Sequence, residues 1–255
     1  MRLARIIEET LPSHSSLNSD IWNRNKTLKR NIRKSLLQAA RDFMKEHNID
    51  VGIIDDIVIT GSMANYNWTS YSDIDLHILI NFENINPDVE LVKDYYKIAK
   101  SLWNSIHDIQ ICNHEVEIYV QDIDEVHFAT GIYSIKSSRW LKRPTSIEQI
   151  KPDKNQISNK YTAILSKIES IDMLIKQGKF KQAIRNAEKL RDKIKRMRQA
   201  GLETTGEYSV ENLAFKVLRR NDYLQRLSSL KIMSYDKMMS VNGGINSEVI
   251  KVNLK

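Results

Sequence analysis

The stretch Ile57-Val58-Ile59-Thr60-Gly61-Ser62-Met63-Ala64-Asn65-Tyr66-Asn67-Trp68-Thr69-Ser70-Tyr71-Ser72-Asp73-Ile74-Asp75-Leu76-His77-Ile78-Leu79-Ile80 decides how the whole chain is read. Val58 and Ile59 are β-branched, and Leu76 to Ile80 is apolar apart from His77, so each end has the composition of a buried strand. A Gly61-Ser62 turn closes the first strand, and a polar connection leads to the second. Asp is depleted in strands, so Asp73 and Asp75 at the head of an apolar one call for a reason. Side chains at i and i+2 share a face, with Cα atoms roughly 7 Å apart. Two carboxylates so placed suit Mg²⁺, which is held by one or two carboxylates together with substrate phosphates. Read alone, Asp73-Ile74-Asp75 serves as well for a polar strand entry or turn as for a metal-binding pair.

The conjunction says more than either part. An apolar strand, Gly-Ser, ten residues and then Asp-apolar-Asp-apolar resembles the signature of the nucleotidyltransferase superfamily, the DNA polymerase β-like fold. The resemblance implies that Gly61-Ser62 holds a triphosphate and that the acids hold two metal ions, Mg²⁺ or Mn²⁺. It also implies a third acid on a nearby strand after an intervening helix. Val116-Glu117-Ile118-Tyr119-Val120 supplies one, with Glu115 in reserve on the same face. The second Asp-Ile-Asp, at 122–124, has no Gly-Ser turn upstream and is read as a strand end. The expected fold is α+β: a small mixed sheet with flanking helices, followed by an α-helical C-terminal region. The expected activity is transfer of a nucleoside monophosphate from an NTP, such as ATP, to a hydroxyl on RNA, a protein or a small molecule, with release of pyrophosphate. The catalytic and metal-binding residues implied are Asp73, Asp75 and Glu117, and the nucleotide-binding residues are Gly61 and Ser62. More narrowly, Asn65-Tyr66-Asn67-Trp68 and the Arg139-Trp140 to Pro144 segment resemble nucleotidyltransferases encoded by tailed bacteriophages.

Composition is compatible with this reading. Hydrophobic residues make up 41% of the 255 and charged residues 28%, ordinary values for a globular protein. No apolar run approaches the ~20 residues of a membrane helix, and the N-terminus lacks a signal peptide's apolar region. Cys112 is the single cysteine, which excludes an internal disulfide framework and a multi-cysteine zinc site. A cytoplasmic protein is the expectation, in the host cytoplasm where the phage likeness applies.

The net charge of +7 is unevenly spread. Residues 1–135 carry 13 Lys/Arg against 20 Asp/Glu, residues 136–200 carry 18 against 6, and residues 201–255 carry 8 against 6. The basic block lies on the helices expected over 155–200. It can contact nucleic acid through phosphates, or it can be a solvated helix face. A rival to the enzyme is a non-catalytic nucleic-acid- or protein-binding module on the same fold.

Along the chain, residues 1–26 read as an N-terminal arm anchored by Trp22, with an amphipathic start at 2–9. Residues 27–144 read as the catalytic domain, 155–240 as a helical domain and 241–255 as a flexible tail. Leu28, Ile32, Leu36, Ala40 and Phe43 predict a helix over 27–47, and Val92, Tyr95, Ala99, Leu102 and Ile106 predict another over 88–107. Tyr66, Trp68 and Tyr71 either stack on a base or pack against the sheet. A hairpin around Lys136, Arg139 and Lys142 either reaches phosphate from the cleft edge or is a bare basic surface; Lys136 and Arg139 are the nucleotide-binding candidates there. Helices ending at Gly178 and Gly201 form an antiparallel hairpin, and a last helix spans about 210–230. His77 shares a face with the two Asp residues and either borders the site or is structural.

Overall fold

The computed structural model describes residue 5 and residues 14–126, 129–144 and 153–240. Apart from residue 5, the amphipathic start lies outside the described residues, as does the tail after residue 240. A six-stranded mixed sheet has the order β3-β4-β2-β1-β5-β6. Its strands are β1 (Ile54–Thr60), β2 (Ile74–Ile80), β3 (Gln110–Ile111), β4 (His114–Asp122), β5 (Ile132–Ser134) and β6 (Arg139–Lys142). Only β2 and β4 run parallel, because α2 (Val89–Ile106) makes the crossover between them. α1 (Arg30–Glu46) precedes the sheet.

Alternation along the strands divides the sheet into two unlike faces. Ile57, Ile59, Ile74, Leu76, Ile78, Ile80, Val116 and Ile118 form one face, and all are buried in a core with α1 and α2. α1 contributes Ile32, Leu36, Ala40 and Phe43, the spacing expected of it. The opposite face carries Thr60, Asp75, His77, Glu117, Tyr119 and Gln121. Such a face is not sealed by its own helices, and it is where the polar residues of the opening stretch emerge.

The N-terminal arm belongs to the first core. Leu17, Ile21 and Trp22 are buried there, and the Trp22 indole donates to the Met63 carbonyl at 2.8 Å. Trp140 stacks on Trp22 with ring centroids 4.9 Å apart. His14 stacks on Trp68 at 3.7 Å, and the Trp68 indole donates to the Ser16 carbonyl. Tyr66 is buried, with Lys26 donating to its hydroxyl. Of the three aromatics, Tyr66 and Trp68 pack against protein, while Tyr71 stands 73% exposed.

The helical region comprises α3 (Lys154–Lys176), α4 (Phe180–Thr205), α5 (Val210–Arg220) and α6 (Tyr223–Met239), packed around a second core from Ile157 to Leu230. Two boundaries differ from those expected. α4 runs past Gly201 to Thr205, because Gly201 is a packing position: a Cβ there would meet Ser209 and Glu211 side-chain atoms at 2.6 Å. The expected helix over 210–230 is two helices, broken where Asp222 adopts φ 58°. α2 also presents a different face from that expected. Val92, Tyr96, Ala99 and Trp103 are buried, whereas Tyr95, Leu102 and Ile106 are at least half exposed. Apolar residues surround this helix, and the face that wins is the one whose rings meet Phe82 and Phe43.

Candidate active site

Register brings the acids together. Asp75 on β2 lies abreast of Glu117 on β4 and of Thr60 on β1, so the three side chains share one face. Asp73 sits just before β2, one step nearer the open end. Gly61 follows Thr60 with φ 70°, the left-handed region that favours glycine. A Cβ there would lie 2.0 Å from an Asp75 carboxylate oxygen, so the absence of a side chain at Gly61 is what gives Asp75 its place. Ser62 starts a short 3₁₀ turn, and its hydroxyl donates to Ser72 Oγ at 2.9 Å. That contact ties the Gly-Ser turn to the residue before Asp73. His114 fixes the same point from β4, bonding the Ser72 carbonyl at 2.7 Å and Asn18 at 3.1 Å.

The electrostatics are those of acids crowded together. Burial, then the charges of Glu117 and Asp73, push the Asp75 carboxyl up to about 7. Asp73 is raised for the same reasons, burial first and Glu117 second. Glu115, the reserve candidate, is raised by burial and by Asp73 and Glu117, but it lies at the strand's start beside the β3 hairpin. Glu117 accepts from the Tyr119 hydroxyl at 2.7 Å and pairs with Lys100 at 3.8 Å. The Lys100 ammonium also sits 3.3 Å from the Tyr119 ring centroid, a cation–π contact. Burial lowers the Lys100 pKa against the pull of Glu117 and Asp75. His77 stacks on Tyr119 at 4.7 Å and bridges Thr60 and Gln121, which makes it a structural floor beneath the acids.

The opposing wall comes from α5. A pocket of about 480 Å³ is lined by residues that include Ser62, Asn67, Asp73, Lys216, Arg219 and Arg220. An Arg219 guanidinium nitrogen lies 3.7 Å from Asp73, and Arg220 stacks over the Tyr71 ring at 4.8 Å. Lys216 is held below the usual lysine range by burial, although Glu207 and Asp75 favour its charge. Neither amide atom of Asn67 has a hydrogen-bond partner among the described residues. Glu207, buried between the two cores, bonds Asn65 and Thr130 and so ties the helical region to the loop that follows Ser62.

Lys136 and Arg139 stand elsewhere. The Lys136 ammonium donates to the Ile54 and Asp55 carbonyls at 2.8 and 3.1 Å, at the start of β1, whereas Gly61 follows its end. Arg139 pairs in register with Ser134, whose neighbour on β1 is Val58, so the β5–β6 turn points away from the acids. The cations that line the pocket are Lys216, Arg219 and Arg220, and Lys136 and Arg139 are not among its lining residues. Arg219 and Arg220 were legible only as the polar side of a helix, and Lys216 carried no signal at all. The second Asp-Ile-Asp makes a turn, with Asp122 accepting from the Asp124 N–H at 3.3 Å.

Three carboxylates with only oxygen donors suit a hard cation such as Mg²⁺, and the Asp75 carboxyl stays raised although Arg219 and Lys100 partly offset its burial. Among the described residues no three acid, His or Cys side chains close into a ready-made metal cage. Glu117 is turned to Lys100 and Asp73 to Arg219. That arrangement fits a cation that relies on substrate phosphates for the rest of its ligands.

Residues 37–130 match the family model described as a nucleotidyltransferase domain. Strands β1 to β4, α2, most of α1 and all three acids fall inside that stretch, while β5 and β6 lie beyond it, and the six-stranded mixed sheet with a helical C-terminal region is an α+β fold consistent with the family. No curated protein and no solved structure matches the chain. The narrower likeness to bacteriophage enzymes therefore has no support and is carried no further. Among the described residues no helix is long and apolar enough to cross a membrane.

Proposed function

We propose that the chain is a metal-dependent nucleotidyltransferase that moves a nucleoside monophosphate from an NTP to a hydroxyl acceptor, releasing pyrophosphate. The observation that carries this reading is the in-register meeting of Asp75 and Glu117, with Asp73 two residues before Asp75 lining a pocket that Lys216 and Arg219 also line. Acids on one wall and cations on the other suit a triphosphate with bound cations. Asp73 and Asp75 would hold Mg²⁺ or Mn²⁺, with Glu117 completing the acceptor side. Bound there, the ions supply Lewis-acid stabilisation of the charge that develops on the phosphoryl oxygens.

The chain's own residues do the remaining work. Gly61 lets the backbone approach phosphate closely, and Ser62 can turn its hydroxyl from Ser72 to a phosphate oxygen. Lys216, Arg219 and Arg220 neutralise the β- and γ-phosphates that depart. The acceptor oxygen bonds to the α-phosphorus as the bond to the bridging β-phosphate oxygen breaks, and the hydroxyl proton passes to the Glu117 carboxylate. Tyr119 and Lys100 orient that carboxylate from behind. Asn67, its amide without a protein partner, offers a donor and an acceptor to the nucleoside. Tyr71, exposed and backed by Arg220, offers a ring face for stacking.

Thermal denaturation tests the cation requirement. Mg²⁺ or Mn²⁺ with NTP is expected to raise the melting temperature, by about 2.7 kcal/mol of stabilisation at a hundredfold excess over Kd. Asp75→Asn should lose most of that response. A melting temperature indifferent to metal, to each of the four NTPs and to both together would remove the metal from this account and return the chain to a binding module.

A further inference from the structure

Away from the acids, α3 and α4 enclose a groove of about 210 Å³ lined by Lys167, Lys189, Lys193, Ser170 and Asn186 over a floor of Ile171 and Leu190. No carboxylate lines it. Lys167 lies close enough to Lys193 for contact and charge to hold the Lys193 pKa down, and Lys160 adds to that repulsion. Two of the acids on these helices are engaged on other sides: Asp172 with Lys176 and Arg226, Glu188 with Lys231. Ammonium groups crowded in this way raise the local potential, and an anion of matching spacing relieves them.

The spacing is that of a strand rather than a single ion. Lys189 and Lys193 are four residues apart, about 6 Å along the helix axis, comparable to the span between successive phosphates of an extended strand. The row also has a direction. Lys160, seven residues before Lys167 and so about 10 Å along α3, pairs with Glu211 at 3.0 Å. Glu211 opens α5, the helix whose later turns carry Lys216 and Arg219 into the pocket with Asp73. A strand lying in the groove is thereby led towards the acids. Ser170 and Asn186 add uncharged donors, which suit phosphate and sugar oxygens without selecting a base.

We infer that the α3–α4 groove binds the phosphodiester backbone of single-stranded nucleic acid and directs one end of it to the carboxylate site. That the strand is the acceptor rests on the transfer reading above, but its binding does not. The test uses the full chain without NTP or metal, a labelled 20-nucleotide RNA and its DNA counterpart, and fluorescence anisotropy across a salt series. Three lysines on a single strand predict a slope of log K against log salt near −2, from about 0.7 per neutralised phosphate. Lys189→Glu combined with Lys193→Glu should weaken binding at least tenfold and flatten the slope. Lys189→Gln with Lys193→Gln should lie between, and NTP binding and melting temperature should stay unchanged in both. Absence of RNA and DNA binding at low salt would overturn the inference. So would reversal variants that bind as the parent does, or poly-glutamate bound as tightly as RNA, which would mark the groove as a site for an acidic protein. Intact NTP binding beside any of these failures leaves the transfer reading standing.

Discussion

Asp75→Asn is expected to abolish nucleotidyl transfer and, without metal, to make the protein more stable at neutral and alkaline pH. The two effects share one cause. The Asp75 carboxyl, raised from 3.8 to about 7, keeps its proton in the folded chain over a range where the unfolded chain has lost it. Stability therefore falls as pH climbs from about 4 to about 7, then stays low, because the folded state binds the extra proton. The cost is on the order of 3 kcal/mol at pH 8, allowing for the partial access of the carboxylate to the cleft. Asn keeps the shape and removes the charge, so urea denaturation in EDTA should show the variant ahead of the parent at pH 8 and nearly equal at pH 4. Activity should fall on the order of 10²–10³-fold or more, as for loss of a principal electrostatic group. A variant less stable than its parent at pH 8 would mean that Asp75 is already neutralised within the protein.

Lys216→Ala is expected to have the largest effect on nucleotide affinity. Lys216 lines the pocket together with Asp73, in a partly buried wall where a triphosphate would face it. A charge-assisted contact of this kind contributes about 1.5–3 kcal/mol, so Kd for NTP should rise roughly 10- to 100-fold. Arg219→Ala should cost less, since that guanidinium is mostly exposed and stands 3.7 Å from Asp73. Lys136→Ala should leave NTP affinity unchanged, because its ammonium is spent on the Ile54 and Asp55 carbonyls. Isothermal titration with NTP and Mg²⁺ distinguishes the three. Equal loss in Lys136→Ala and Lys216→Ala would place the phosphates on the wrong wall.

The half of the site that lies on the sheet was legible in the sequence, because strand alternation and register are local properties of sequence. Asp73, Asp75 and Glu117 each announced themselves as acids in apolar strands, and Gly61 as a glycine ending one. The other half was not. Lys216 and Arg219 reach the pocket only because α5 breaks from α6 at Asn221-Asp222 and docks beside the Ser62 loop. Glu207 fixes that docking through Asn65 and Thr130, residues far from it in the chain. No periodicity encodes such a contact. The position of Lys136 and Arg139 was illegible for a related reason: a basic hairpin has the composition of a phosphate contact, but β5 runs antiparallel to β1 and carries its turn to the end of the sheet away from Gly61. The α2 stripe shows the limit of helical spacing itself, since Tyr95 and Tyr96 both fit a 3–4 pattern and only ring packing decides between them.

The central claim is that the α-phosphate is the point of attack, and isotope placement in the NTP tests it directly. The full chain, Mg²⁺ and a mixed RNA are incubated with each α-³²P-labelled NTP and, separately, with the γ-labelled forms, using cell lysate as a second acceptor source. The account predicts label from the α-position on an acceptor, label from the γ-position only in pyrophosphate, and neither product from the double variant Asp73→Ala, Asp75→Ala. Acceptor labelled from the γ-phosphate would contradict it.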